Sequence, residues 1–377
     1  MTKTSREQAE MSRPSSHKTG RTKAEFKGEY DPGEEIKHLR GEIKRMEGER
    51  ESYEKEHGSL KILFRELWDN VDAIEPPKIN YKAPAKSKVA NPVIHVSHWC
   101  DWHDGAVQEP EEIEGFREFN PEILRRELRN CERDQLEWCE LHRTSYTINE
   151  RRNLVTGDLI SGGIHPELLW TNAYPEPVQA IRAGELLAEI VAMQSPHYQK
   201  VVVDFVTEDN HSRLTKKPQA SEGGINTWNY VVGFFAKERL RDFENVEFNV
   251  YPVLQKVVKV GGRQYLITHG HHVRGWSGFP YYGIERKVGR EAVKRMRRVL
   301  KDAVFDVRES INTLFHRVIC GHWHAPMTHP WFWIGGSASG TTAYDHREGR
   351  ESDPIQCSWM VHPKHGEFDR TDWLLRE

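Results

Sequence analysis

The chain has 377 residues, of which 37% are apolar and 29% charged, enough for one large core and the balance expected of a soluble protein. A net charge of −3 excludes a global cationic field, so any nucleic-acid contact must come from local patches. The five cysteines are odd in number and lack C-x-x-C spacing, which predicts reduced, cytosolic thiols rather than a disulfide framework. The N-terminal stretch shows no apolar signal-peptide core, and no later run is long enough to span a bilayer. A soluble, cytoplasmic protein with no membrane partner is expected.

Residues 1–33 are rich in Lys, Ser, Thr, Gly and Glu and are read as a disordered tail, because they cannot bury enough surface to offset ordering entropy. Lys18, Arg21, Lys23 and Lys27 could touch an acidic partner or simply be solvated. Residues 34–75 read as a helical, coiled-coil segment. Ile36, Leu39, Ile43, Met46, Tyr53, Leu60, Phe64, Leu67 and Val71 share a and d positions of one heptad frame. Such a helix could form a homodimer, dock on a partner or pack on its own chain. Residues 76–92, with Pro76, Pro77, Pro84 and Pro92, form a linker, and 93–377 the catalytic domain.

Within that domain the first strand starts near Val93, and Asn120-Pro121 caps a long helix reaching about Tyr146. A strand ending at Gly157-Asp158, a helix from about Pro177 to Met193 and the strand Val201–Val206 follow. Next come a helix over roughly Thr227–Asp242 and a strand pair, Val246–Tyr251 and Val253–Val260, turned back at Gly261-Gly262 towards Tyr265–Thr268. A basic helix around Arg290–Asp306 should bury Val293, Met296, Val299 and Leu300 and expose its cations. A strand precedes Gly321, and Trp331–Ala338 and Gln356–Val361 look like sheet. Strand–helix alternation with late hairpins predicts an α/β class: a two-layer β-sandwich flanked by helices, with the N-terminal helical extension.

Five of the β-branched runs stop at residues that can bind a metal. They deliver Asp101 and His103, Asp158, Asn210, His269, and then His322 and His324. In open α/β sheets ligands gather outside the carboxyl ends of the strands, so these side chains should converge on one edge. Asp158, central in that order, is read as bridging two metal ions. Imidazole with carboxylate suits Mn, Fe, Zn or Co, and no thiolate cluster argues for a structural zinc site. Two ions 3.5–4 Å apart can polarise a phosphoryl oxygen and lower the pKa of bound water.

The motifs Asp101-Trp102-His103, Gly157-Asp158, Asp209-Asn210-His211-Ser212, His269 and Gly321-His322-Trp323-His324 resemble those of the calcineurin-like metallophosphoesterases, D-x-H, G-D, G-N-H-D/E, H and G-H-x-H. The resemblance covers roughly residues 93–359. It implies the metallophosphoesterase fold and two divalent ions, foremost Mn²⁺, with Fe, Zn, Co or Mg as alternatives. One ion would be held by Asp101, His103, Asp158 and His324, the other by Asp158, Asn210, His269 and His322. His211 would be the catalytic residue that protonates the leaving oxygen or steadies transition-state charge. Asp209 stands where the pattern has Gly, a residue commonly used for positive φ, and Ser212 stands where it has an acid that orients the histidine. The run 210–218 resembles the N-H-G-R-x-T-K-K-P of phage- and prophage-encoded members, with the nucleases of DNA double-strand-break repair as further kin.

Arg213, Lys216 and Lys217 follow the catalytic loop and, with Arg274, are candidate phosphate contacts, against the alternative of a solvated basic turn. Trp276 could stack on a base or sit in the core, and His165, His271, His272 and His346 could line the site or be structural. The expectation is a dimetal phosphodiesterase, a nuclease cleaving DNA through metal-activated hydroxide with His211 assisting. The alternatives are a phosphatase or phosphodiesterase on a small nucleotide or phosphoprotein, and a catalytically weak scaffold.

Overall fold

The computed structural model describes residues 91–376 except 116, 165–167, 216–222, 276–279 and 303–310, together with Gly41 and Lys44. The chain divides into two compact units, Met1–Ile74 and Glu75–Glu377. Gly41 and Lys44, both helical and exposed, are the described residues of the first unit. The disordered-tail, coiled-coil, homodimer and linker readings therefore lie outside the described residues almost entirely.

The second unit opens with β1 (Pro92–Trp99), α1 (Pro121–His142) and β2 (Thr147–Val155). The side chain of Asn120 caps α1 by accepting the amides of Glu122 and Ile123, with Pro121 in the first turn. After a four-residue helix, α2 (Leu168–Thr171), the chain runs through α3 (Glu176–Gln194), β3 (Lys200–Val206), α4 (Trp228–Arg239) and β4 (Val246–Tyr251). It continues with β5 (Gln255–Val260), β6 (Arg263–Thr268), α5 (Tyr281–Asp302) and β7 (Arg317–Cys320). Last come β8 (Met327–Thr328), β9 (Phe332–Ile334), α6 (Ala343–Arg347), β10 (Ile355–His362) and β11 (Gly366–Leu374).

The strands form a six-stranded sheet, β11-β10-β1-β2-β3-β4, and a five-stranded sheet, β5-β6-β7-β9-β8. β1 to β4 are mutually parallel, and β6, β7 and β9 are parallel in the second sheet. Val96, Leu154 and Val206 from the first sheet share one buried cluster with Val258, Tyr265, Ile267, Ile319 and Trp333 from the second. The two sheets therefore pack face to face, the two-layer architecture expected from the sequence. Among the described residues no helix is long and apolar enough to cross a membrane.

Two expectations are corrected. β4 and β5 are not a strand pair: β4 hydrogen-bonds to β3 and β5 to β6, so the chain crosses between sheets at residues 252–254. Three of the four apolar residues read as the buried stripe of α5 are exposed, Val293 at 61%, Met296 at 47% and Leu300 at 66%, and Val299 is half-buried. The docked face instead carries Ile284, Val288 and Glu291, with Ile284 and Val288 against Leu266, Val318 and Phe332. Of the six cations read as its exposed face, Arg290, Lys294, Arg297, Arg298 and Lys301 are exposed, whereas Arg295 is half-buried against Glu291 and the carbonyl of Thr313.

Candidate metal centre

The parallel strands bring their carboxyl ends together, and every candidate ligand lies just beyond one. Asp101 follows β1, Asp158 follows β2, Asn210 follows β3, His269 follows β6, and His322 and His324 follow β7. The loops continue the ladder for a few residues: Asp101 donates its amide to Gly157 O (3.1 Å), and His103 to Asp158 O (3.1 Å). Across the sandwich the amide of His322 donates to both carboxylate oxygens of Asp101 (3.0 and 3.1 Å). Asp101 thus ties the edge of one sheet to the edge of the other.

Five of these residues hold left-handed backbone: Asp101 (φ 52°), His103 (φ 51°), Asp158 (φ 49°), His322 (φ 76°) and His324 (φ 59°). Each such non-glycine position costs about 1–2 kcal/mol, and histidines and aspartates in this state mark places where side-chain aim overrides backbone preference.

Donor atoms converge in three groups, each within 4.8 Å: Asp101, His103 and His324; His103, Asp158 and His211; and Asp158, His269 and His322. Asp158 belongs to two of them. Asn210 joins the third through its Oδ1, 3.0 Å from His269 Nε2. His103 Nε2 and His324 Nε2 stand 3.1 Å apart. His211 lies beside His103, ring centroids 4.7 Å apart. Its amide donates to Asp158 Oδ1 (3.1 Å), and its Nδ1 lies 2.6 Å from the carbonyl of Ser161.

The outer nitrogens settle the tautomers. His269 Nδ1 faces the carbonyl of Thr156 (3.0 Å), and His324 Nδ1 faces the carboxylate of Asp345 (3.0 Å). A proton on each Nδ1 leaves the inward Nε2 as a lone pair, the form a metal requires. His269 Nε2 then points at Asp158 Oδ2 (2.9 Å) and Asn210 Oδ1 (3.0 Å), three electron-rich atoms facing one another. That arrangement demands a cation, either a metal or a proton. Burial disfavours a charged His269, but the Asp158 carboxylate overrides it and lifts this imidazole to about 9. Burial, reinforced by His211 and His324, holds His103 well below its ordinary value, and burial with His269 does the same to His322. A set of four imidazoles, two carboxylates and an amide oxygen, with Asp101, His103, Asp158 and His269 buried and Asn210, His322 and His324 half-buried, fits divalent ions of intermediate softness.

The other sequence candidates distribute unevenly. Arg213 sits on the turn after His211, bridges to Thr227 and donates to the carbonyl of Thr215 (3.1 Å). Arg274 is exposed on the loop following His269. Lys216, Lys217, Trp276 and His165 lie outside the described residues. His271 stacks on His269 (5.7 Å) and lines the site, whereas His272 lines a small cavity with Gln255, Lys287 and Glu291. His346 approaches Glu114 (3.7 Å) on the flank. Two expectations about the third motif change. Position 209 has no positive φ, so backbone freedom is not what a glycine would supply there. The orientation expected of an acid after His211 comes from the Ser161 carbonyl instead.

Sequence reasoning missed Asp345, which carries no motif, and Trp170, 88% exposed on α2. The turn after Trp170 is pinned beside the centre: Asn172 donates to Gly162 O (2.6 Å), and Ala173 to Gly105 O (2.8 Å).

No family model matches the chain, and no curated protein does. Among solved structures, an archaeal phosphodiesterase aligns at 10% identity over 74% of this chain and 99% of its own, with a TM-score of 0.30. Vps29 of Entamoeba histolytica complexed with zinc aligns at 15% identity over 74% and 98%, TM-score 0.25. A purple acid phosphatase from yellow lupin seeds aligns at 10% over 77% and 55%, TM-score 0.31. At these TM-scores the likenesses identify neither a family nor an activity.

Proposed function

We propose that this chain is a two-metal phosphodiesterase of the calcineurin-like metallophosphoesterase type, acting on nucleic acid and specifically on DNA. The observation that carries the reading is the convergence of Asp158 Oδ2 and Asn210 Oδ1 within 3.0 Å of His269 Nε2, with the outer nitrogen of His269 already committed to Thr156. Two divalent ions, Mn²⁺ foremost, held by Asp101, His103, Asp158 and His324 and by Asp158, Asn210, His269 and His322, would supply Lewis acidity at phosphoryl oxygens and lower the pKa of bound water.

The chain's own residues do the rest. The amide of His211 donates to Asp158 and its Nδ1 meets the Ser161 carbonyl, which fixes the ring at the centre, and Nε2 is the nitrogen assigned to the substrate. Burial keeps this imidazole below its ordinary value, and an arriving phosphate anion favours its protonated form. The proton at Nε2 is then placed for the leaving oxygen. Arg213, on the same turn, with Lys216, Lys217 and Arg274, would orient the flanking phosphates, which favours a polymeric phosphodiester.

The test is hydrolysis of single- and double-stranded DNA beside bis-p-nitrophenyl phosphate, with Mn²⁺ and with EDTA, and Asp158→Ala as control. Mn²⁺-dependent DNA cleavage lost in the variant is expected. Cleavage of the small ester alone would replace DNA by a small nucleotide substrate. No turnover on either, with metal bound, would overturn the enzyme reading in favour of a scaffold.

A further inference from the structure

We propose that Asp209 is a positioning residue whose buried carboxylate locks the Asp158 turn to the Asn210-His211 turn. The proposal rests on the two-metal reading and deepens it with a residue that is not itself a ligand.

Asp209 is 2% exposed. Its Oδ2 accepts the amide of Asp158 (2.8 Å) and the side-chain amide of Asn229, and its Oδ1 accepts the amide of Ser212 (2.8 Å). The three partners are donors from three elements: the turn after β2, the turn after β3 and the first turn of α4. A carboxylate offers acceptors on both oxygens, whereas an asparagine would turn its NH₂ towards at least one donor. Hydrogen bonds to main-chain amides fix backbone, and the backbone fixed here carries Asp158 in its left-handed state and His211 beside it.

Gly157 completes the device. Its φ is +106°, and a Cβ there would lie 2.9 Å from both the Cβ and Oδ2 of Asp209 and 3.2 Å from His269 Nδ1. The missing side chain at 157 is the room the carboxylate occupies. In the resembled motif an acid follows the histidine; here Ser212 holds that place and the acid stands three residues before it, at Asp209.

The test uses the full chain, ¹⁵N-labelled and free of metal, followed by calorimetric titration with Mn²⁺. In Asp209→Asn the Asp158 and Ser212 amides should exchange faster, and Mn²⁺ affinity should fall by about 10- to 100-fold, the range for residues that orient ligands. Asn229→Ala removes one donor, leaves the carboxylate in place, and should give a smaller loss, which keeps the question open to test if Asp209→Asn does not fold. A folded Asp209→Asn with wild-type exchange and wild-type affinity, or one that loses only thermal stability, would overturn the proposal. Faster exchange in a protein whose wild type binds no Mn²⁺ would instead sink the two-metal reading while upholding the hydrogen-bond lock.

Discussion

Asp345 accepts from His324 Nδ1 at 3.0 Å, and the same carboxylate oxygen takes the hydroxyl of Thr342 at 2.6 Å. Burial would push this carboxyl up, but the His324 contact prevails and holds it down at about 2. Asp345 therefore presents a fixed anion that keeps the His324 proton on Nδ1 and its Nε2 aimed at Asp101 and His103. Asp345→Ala is expected to weaken Mn²⁺ binding by about 10- to 100-fold, read by calorimetry. Asp345→Asn, which keeps one acceptor oxygen, should lose less.

His211 belongs to one of the three donor groups, with His103 and Asp158, so its role needs separating from ligation. With Nδ1 held by Ser161, it is read as the proton carrier. His211→Ala should keep the wild-type Mn²⁺ stoichiometry and lower turnover by about 10²- to 10⁴-fold, the usual contribution of general acid–base catalysis. Loss of one bound ion in that variant would make His211 a ligand instead.

The strand ends could be read from the chain because each ligand lies within a few residues after a β-branched run, and parallel strands must end on the same side. What lies at long sequence separation could not. Asp345 touches His324 across 21 positions, and nothing in its own neighbourhood announces a partner. On α5 the periodicity of Val293, Met296 and Leu300 is real, but Ile284, Val288 and Glu291 offer a competing face, and only the position of β5 to β7 decides which one docks. The β4-to-β5 crossover was hidden for a similar reason. Two successive strands look like a hairpin until the partners of each are known.

Behind the first sheet, Arg151 and Glu132 form an ion pair at 3.0 Å with both side chains fully buried. Gln135 accepts a second bond from the guanidinium (2.7 Å). Removing one partner strands the other charge in the core. Arg151→Met should destabilise the fold by about 3–5 kcal/mol in chemical denaturation. Replacing both, as Arg151→Met with Glu132→Leu, should recover most of that loss.

Glu291 anchors α5 to β5 by accepting from Gln255 at 2.9 Å, with Lys287, Lys294 and Arg295 within 4.0 Å. Burial alone would raise this carboxyl, but the Gln255 bond and the three cations hold it below its ordinary 4.5. A depressed folded value means that its stabilisation is fully present above the unfolded value and is lost as the pH falls through the folded one. The wild type should thus lose stability below about pH 4.5. Glu291→Gln should show a shallower loss over the same range in thermal melts.

The substrate reading places cations directly after the catalytic turn, where a polyanion would neutralise them. Binding of single-stranded DNA should weaken with salt, and log Kd against log salt should flatten by roughly 0.7 for each phosphate contact removed. Arg213→Ala and the pair Lys216→Ala, Lys217→Ala should each raise KM on DNA and leave bis-p-nitrophenyl phosphate hydrolysis near wild type, because the small ester has no flanking phosphates. Trp170, exposed on α2 just before the turn that Asn172 and Ala173 pin to Gly162 and Gly105, offers a face for a base. Stacking is worth about 1–3 kcal/mol per base, so Trp170→Ala should weaken DNA binding by about 5- to 150-fold without altering the salt slope. A salt slope unchanged in the basic variants would show that these cations are solvated and that the polymer is held elsewhere.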